Sequence, residues 1–133
     1  ALGKQVRLVN RDPPPAAFSV FPGVADIEVA PRVEGEFDAA IVLESSDLAR
    51  TGVEGIERAF LINIDHHPGN TGYGATNWSD PGASACGEMV FALVQALGVT
   101  LSAEIATHLY LAILTDTGGF HFSNVTSRDS PCG

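Results

Sequence analysis

The 133-residue sequence predicts an α/β fold, with a mainly parallel sheet and flanking helices. Residues 39–43 and 60–64 form short, almost continuously apolar runs, which are typical of strands buried on both faces of a parallel sheet. The segment 47–59 between them is long enough for a crossover connection that is at least partly helical. Two stretches with helical spacing follow, and at this length one domain is the natural count.

The N-terminal third predicts short, irregular elements. Residues 5–10 alternate in the manner of a strand, and the three prolines at 13–15 then exclude both a helix and a paired strand. Residues 16–21 are predicted to make one helical turn, and residues 27–30 a weak second strand. A further short strand is predicted at 75–78, after the two buried strands.

The C-terminal half predicts two helices. The first spans residues 84–97, with apolar side chains at helical spacing, and ends at Gly98, a residue that favours the position after a helix. The second is capped by Ser102 and ends near residues 115–119. Because the second helix is apolar nearly all round, we expect it to be buried.

The composition excludes two classes of protein. An apolar share of 45% with 17% charged residues excludes a disordered chain. A net charge of −9 excludes binding to nucleic acid through a basic patch, so an anionic substrate would need a cation other than a side chain. Cys86, predicted to be a core thiol, and Cys132 form neither a disulfide framework nor a zinc ribbon. We therefore expect a reducing, cytoplasmic setting and, without an apolar stretch of membrane-spanning length, no membrane contact.

Residues able to bind a metal follow three separate elements. Glu44 follows the first buried strand, Asp65, His66 and His67 follow the second, and Asp116 lies at the end of the last helix. The carboxyl ends of parallel strands meet at one edge of a sheet, so these groups are expected to converge. Mixed carboxylate and imidazole ligands suit Mn²⁺, Fe²⁺, Co²⁺ or Zn²⁺. Such a cation would polarise a phosphoryl oxygen and generate a hydroxide nucleophile near neutral pH.

Each of these residues taken alone has an ordinary structural explanation. Glu44 could be a turn former or a helix cap, His66 and His67 could be solvated loop residues, and Asp116 could cap or turn the chain. The occurrence of such residues at the ends of three separate elements favours a metal site over these separate explanations. His108, within the second helix, is predicted to be a packing residue rather than a ligand. The glycine-rich loop that follows the histidines is predicted to be mobile.

Three segments resemble motifs of a known family, the DHH phosphoesterases. Residues 41–52, 63–68 and 111–120 are similar, in order and spacing, to the second, third and fourth motifs of that family. The resemblance is strongest to the bacterial group that degrades very short RNA and dephosphorylates 3′-phosphoadenosine 5′-phosphate (pAp). On this basis residues 1–126 are expected to form a partial DHH catalytic domain, and residues 127–133 a tail with no second domain.

The resemblance implies a role for each residue of the site. Glu44 stands where the family usually has an aspartate that bridges two metal ions, with Mn²⁺ the expected metal, and His66 and Asp116 would ligate the second ion. His67 would contact the substrate phosphate, and Asp65 would orient the site from behind the ligands. Two further candidates for contact with the substrate are Arg50 and His121.

The implied function is a metal-dependent phosphoesterase for short oligoribonucleotides, pAp or both, in which a metal-bound hydroxide attacks phosphorus. The expected partners are therefore short oligonucleotides or phosphorylated nucleotides, and a homodimer is left open. The alternatives are a truncated or degenerate DHH domain without activity, or a relative that acts on pyrophosphate, cyclic dinucleotides or single-stranded DNA. The family's first motif, His-x-x-Pro-Asp-x-Asp, is expected before Ala1 and its second domain after Thr126, so the domain is expected to be incomplete at both ends.

Overall fold

A computed structural model describes residues 2–123 and has the predicted α/β architecture. The elements in chain order are β1 (Val9–Asn10), β2 (Glu28–Val29), β3 (Ala39–Leu43), β4 (Phe60–Asp65), β5 (Thr76–Ser79), α1 (Cys86–Ala96) and α2 (Ala103–Asp116). Every strand except β1, which begins four residues later than predicted, lies within one residue of its predicted bounds at each end. The expected boundary between domain and tail at residue 126 lies outside the described residues.

The sheet that supports the site has three parallel strands in the order β3-β4-β5. The central strand β4 pairs with both neighbours, so that Leu43 of β3 lies beside Ile64, and Ile64 lies beside Trp78 of β5. All three strands therefore end at the same edge. β1 and β2 form a separate parallel pair instead of joining this sheet.

The crossover from β3 to β4 contains two 3₁₀ turns, Leu48–Thr51 and Ile56–Arg58, so it is helical only in this short form. The Asp47 carboxylate accepts a hydrogen bond from Ala49 N at 2.8 Å and caps the first turn. Gly55 begins the second turn at φ 91°, where a Cβ atom would lie 2.3 Å from Val33 O. Only glycine fits this close approach.

The hydrophobic core lies between β4 and α1. Ile64, Ala83, Cys86 and Met89 are buried together, and three partly buried side chains pack around them: Ile62, Val90 and Leu93. This packing holds α1 on the sheet face that carries Ile64. Neither of the two helices in residues 2–123 is long and apolar enough to cross a membrane.

The expected burial is wrong for β3 and for α2. On β3, Ile41 is 59% exposed and Leu43 48% exposed, because α1 packs over β4 and leaves this side of β3 uncovered by the described residues. No residue of α2 is buried, since within the described residues it packs chiefly against α1. Gly87 makes that approach close, because a Cβ there would lie 3.0 Å from Ala112 Cβ. An apolar surface all round a helix does not determine how many neighbours cover it.

Cys86, the first residue of α1, is a buried core thiol, as predicted. Its Sγ donates to Ile64 O at 3.4 Å, and burial raises the pKa of the thiol to about 12. The reactive thiolate is therefore scarce at neutral pH.

We expect iodoacetamide at pH 8 to label Cys86 at least about 100-fold more slowly in the folded chain than in the unfolded chain. A Cys132→Ser variant isolates this thiol, and the labelling rate is followed by mass spectrometry with and without guanidinium. Rapid labelling under native conditions would contradict the burial and raised pKa.

Candidate metal centre

Three chain segments bring carboxylates and imidazoles together at the carboxyl edge of the sheet. Glu44 follows β3, His66 and His67 follow β4, and Asp116 is the last residue of α2. The Nε2 atom of His66 lies 2.9 Å from Glu44 Oε1 and 3.4 Å from Asp116 Oδ2. The chain thus places an imidazole between two carboxylates that are distant in sequence.

Glu44 has a left-handed backbone, with φ 61°. Its N–H still donates to Ile64 O at 3.1 Å, which extends the β3–β4 pairing by one residue before the chain turns. A residue with a Cβ atom pays about 1–2 kcal/mol for this conformation. Such strain is typical of functional sites, and here it accompanies a side chain that points to both histidines.

The imidazole of His66 is held in one orientation. Its Nδ1 lies 3.1 Å from Ala83 O, and because a carbonyl only accepts, Nδ1 must carry the proton. Nε2 is then the atom that faces Glu44 and Asp116. Burial lowers the pKa of His66, but the Ala83 bond and the nearby carboxylates outweigh it, so the pKa is raised overall. A positive charge is therefore favoured at this point.

The imidazole of His67 is held by Asp65, the last residue of β4. Asp65 has no solvent exposure, and its Oδ1 lies 2.7 Å from His67 Nδ1. Burial acts to raise the pKa of Asp65, but hydrogen bonds from the His67 ring, from Asn70 and from the His67 backbone together lower it. Asp65 is thus held as a carboxylate beneath His67.

These residues fit a divalent cation. Glu44, His66 and His67 each offer one ligand atom, and the three atoms lie within 4.8 Å of one another. The expected ligand set has Asp116 in place of His67, and Asp116 also lies against His66 Nε2. One carboxylate with two imidazoles is a donor set for Mn²⁺, Fe²⁺, Co²⁺ or Zn²⁺, not for the all-oxygen shells that Ca²⁺ and Mg²⁺ prefer.

The other predicted residues lie around the cluster. Arg50 lies in the first turn after β3, where its Nη1 donates to Ser46 Oγ at 2.8 Å. His121 is exposed beyond α2, with Nδ1 2.8 Å from Gly119 O, and no contact joins it to the cluster. His108 Nε2 donates to Pro22 O at 2.9 Å, as a packing residue would.

Sequence reasoning missed a set of polar residues behind the site. Asn63, in the middle of β4, has no solvent exposure, and it hydrogen-bonds to Asn70 and Tyr73 from the glycine-rich loop. Thr71 N also donates to Ser46 O at 2.9 Å. These bonds tie down the loop that was expected to be mobile. The sequence feature that could have revealed this set was Asn63, a polar residue within an otherwise apolar run.

Fold and site together define a parallel α/β domain with a candidate metal centre at the carboxyl edge of its sheet. A sequence profile for the DHH family, N-terminal domain, matches residues 5–113, and the chain belongs to that family.

Similar proteins include bacterial enzymes of known name. The chain is 43% identical over 86 residues to the bifunctional oligoribonuclease and PAP phosphatase NrnA of Thermus thermophilus. The aligned region covers 65% of this chain and 26% of that protein. It is 38% identical over 73 residues to the protein of the same name from Bacillus subtilis, covering 53% of this chain and 23% of that one. The chain thus spans about a quarter of these relatives' length.

A solved structure supports the fold. An exopolyphosphatase-related protein from Bacteroides fragilis superposes with a TM-score of 0.84 at 25% identity. The match covers 94% of this chain and 41% of that one. Nearly all of the chain is therefore a recurring structural unit.

Proposed function

We propose that this domain is the metal-binding part of a phosphoesterase that hydrolyses short oligoribonucleotides, pAp or both. The observation that carries the proposal is the meeting of Glu44, His66 and Asp116 from three chain segments, with His66 Nε2 between the two carboxylates. Two relatives named as oligoribonuclease and PAP phosphatase support this substrate class. A cytoplasmic location belongs to the same proposal.

In this proposal, Glu44, His66 and Asp116 hold a divalent cation, with Mn²⁺ the first candidate. A cation there supplies Lewis-acid polarisation of a phosphoryl oxygen and a lower pKa for water. His66 is prepared for this role because Ala83 O keeps the proton on Nδ1 and leaves Nε2 toward the ligand position. The positive charge of a bound cation would also make the electrostatic potential at the site favourable for an anionic substrate, in a chain with a net charge of −9.

His67 is proposed to contact the substrate phosphate through Nε2. Its Nδ1 is occupied by Asp65 at 2.7 Å, which leaves Nε2 as the ring atom for a ligand. When protonated, Nε2 donates to a phosphoryl oxygen, and the Asp65 carboxylate stabilises the imidazolium charge. Arg50 and His121 are proposed as further contacts to the substrate, Arg50 because its turn begins near the end of β3.

A second candidate function is cation binding without turnover. The observation that favours it is Glu44, whose side chain is one methylene longer than the aspartate expected by family resemblance and whose backbone is strained. Spacing in a two-metal site is sensitive to such a change. For the 133-residue chain itself we propose weak binding of a single cation and little or no turnover, since residues 2–123 hold one group of mutually close ligands.

The test is hydrolysis of pAp, dinucleotides and pyrophosphate by the full-length natural protein that carries this domain, with Mn²⁺. His67→Ala is expected to lower kcat/KM by about 100-fold or more, because it removes a donor to the charge that develops on phosphate. His108→Ala is the matched control, since that imidazole bonds to Pro22 O away from the cluster. The absence of hydrolysis in the unaltered protein, or full activity in His67→Ala, would contradict the proposal.

A further inference from the structure

A directed chain of hydrogen bonds runs behind the candidate site and ends at His67. It begins at Ser45 O, which as a carbonyl can only accept. Asn63 Nδ2 lies 3.0 Å from this oxygen and must donate to it. The amide of Asn63 is therefore oriented with Oδ1 as its accepting end. Tyr73 reinforces this orientation, because its hydroxyl accepts from Asn63 Nδ2 at 2.6 Å and donates to Ser45 O at 3.1 Å.

Asn70 is the next member of the chain. Its Nδ2 donates to Asn63 Oδ1 at 2.9 Å and to Asp65 Oδ2 at 2.7 Å. Its Oδ1 accepts from the backbone N–H of Gly72 at 2.9 Å, which confirms the assignment of the oxygen and nitrogen atoms of this amide. A single side chain from the loop thus connects the middle of β4 and the buried carboxylate at its end. Its Nδ2 also lies 3.4 Å from Ser45 O, two residues beyond β3.

The direction of these bonds determines the proton on His67. Asp65 accepts from Asn70 through Oδ2, and its Oδ1 is the atom that faces His67 Nδ1 at 2.7 Å. A carboxylate only accepts, so His67 Nδ1 donates to Asp65 and Nε2 is left as the unprotonated ring atom. Glu44 Oε1 lies farther from the same Nδ1, at 3.6 Å. Asn63 and Asp65 have no solvent exposure, and a lost donor would therefore leave a buried acceptor unpaired.

We propose that Asn70 is a positioning residue, which orients the Asp65 carboxylate and through it holds His67 as the Nδ1–H tautomer, with Nε2 unprotonated. The use of Nε2 toward a phosphate rests on the proposed function, whereas the tautomer and its dependence on Asn70 do not. Asn70 touches neither the candidate metal ligands nor, in this proposal, the substrate.

The main competing explanation is that Asn70 only fastens the loop. Asn77 provides the matched control, because it fastens the same loop through backbone groups. Its Nδ2 donates to Gly74 O at 2.7 Å and to Gly72 O at 3.3 Å, and its Oδ1 accepts from Gly74 N at 2.9 Å. None of these bonds involves Asp65. A loop tether and a tautomer control are thus separable by comparing the two asparagines.

The experiment is long-range ¹H–¹⁵N NMR of the ring nitrogens in the metal-free 133-residue chain, at a pH where the imidazoles are neutral. His67→Gln assigns the signals, and His66, held by Ala83 O, is an internal reference. We expect Nδ1–H to be the dominant tautomer of His67 in the unaltered chain and in Asn77→Ala. In Asn70→Ala, the Nε2–H form should appear as a substantial fraction, while the His66 signals stay unchanged.

Asn70→Leu keeps a similar side-chain volume and removes the donor without adding a charge beside Asp65, so it replaces Asn70→Ala should that variant fail to fold. A mixed tautomer in Asn70→Ala or Asn70→Leu with an unaltered His67 in Asn77→Ala supports the proposal. An unaltered His67 in both Asn70 variants overturns it, as does an equal change in Asn77→Ala. The measurement needs no turnover, so a chain that hydrolyses nothing can still pass or fail it.

Discussion

Replacing His66 with alanine is expected to weaken Mn²⁺ binding to the chain by about 100-fold or more, since loss of a group that merely orients a ligand already costs 10–100-fold. The imidazole lies between Glu44 and Asp116, with Nε2 2.9 Å and 3.4 Å from their carboxylates. Without this imidazole, the cation loses a nitrogen ligand, and the carboxylates of Glu44 and Asp116 lose the side chain that both of them contact.

The measurement is calorimetric titration, supported by the rise in Tm that a cation produces when it binds only the folded chain. His108→Ala is the matched control, because it removes another half-buried imidazole whose hydrogen bond goes to Pro22 O. We expect this control to keep the Mn²⁺ affinity of the unaltered chain. Equal binding by His66→Ala would remove His66 from the ligand set and the main support for the proposed centre.

Glu44→Gly is expected to be more stable than Glu44→Ala by about 1 kcal/mol, although glycine is ordinarily the less stable of the two in ordered structure. The reason is φ 61° at this residue, a left-handed conformation that a Cβ atom disfavours and glycine adopts freely. Both variants lose the carboxylate, so both should lose cation binding to the same extent. The comparison therefore separates backbone strain from the loss of the ligand.

Urea unfolding of the metal-free variants measures this difference. The control pair is Thr107→Gly and Thr107→Ala at an exposed position in the interior of α2, where glycine should be less stable by about 1 kcal/mol. An opposite sign at the two positions is the expected result. The same sign at both would mean that Glu44 carries no strain.

The sequence predicted the parts of the fold that depend on local pattern. The apolar runs predicted β3 to its last residue and β4 to within one, because short unbroken runs bounded by polar residues fit few alternatives. Ser102 was predicted to cap α2, and its Oγ accepts from Ile105 N at 3.2 Å. Caps and strand ends are decided by neighbouring residues, and a sequence records those directly.

Burial could not be predicted in the same way. The pattern of α2 indicates an apolar helix, but the number of elements packed against it depends on distant parts of the chain. Ile41 and Leu43 are apolar and still about half exposed for the same reason. A pattern of residue types specifies which face can be buried and leaves open what will cover it.

The sequence by itself determined the family and the residue types of the candidate site, since each of these residues lies at the end of a recognisable element or directly after one: Glu44, His66, His67 and Asp116. Only the tertiary structure decided which of their atoms meet and which groups hold them. The Ala83 carbonyl behind His66 and the Asn70 amide behind Asp65 are 17 and 5 residues from their partners and belong to no motif. Hydrogen bonds have direction and short range, so their partners are determined only when the folded chain has placed the donor and acceptor within about 3 Å.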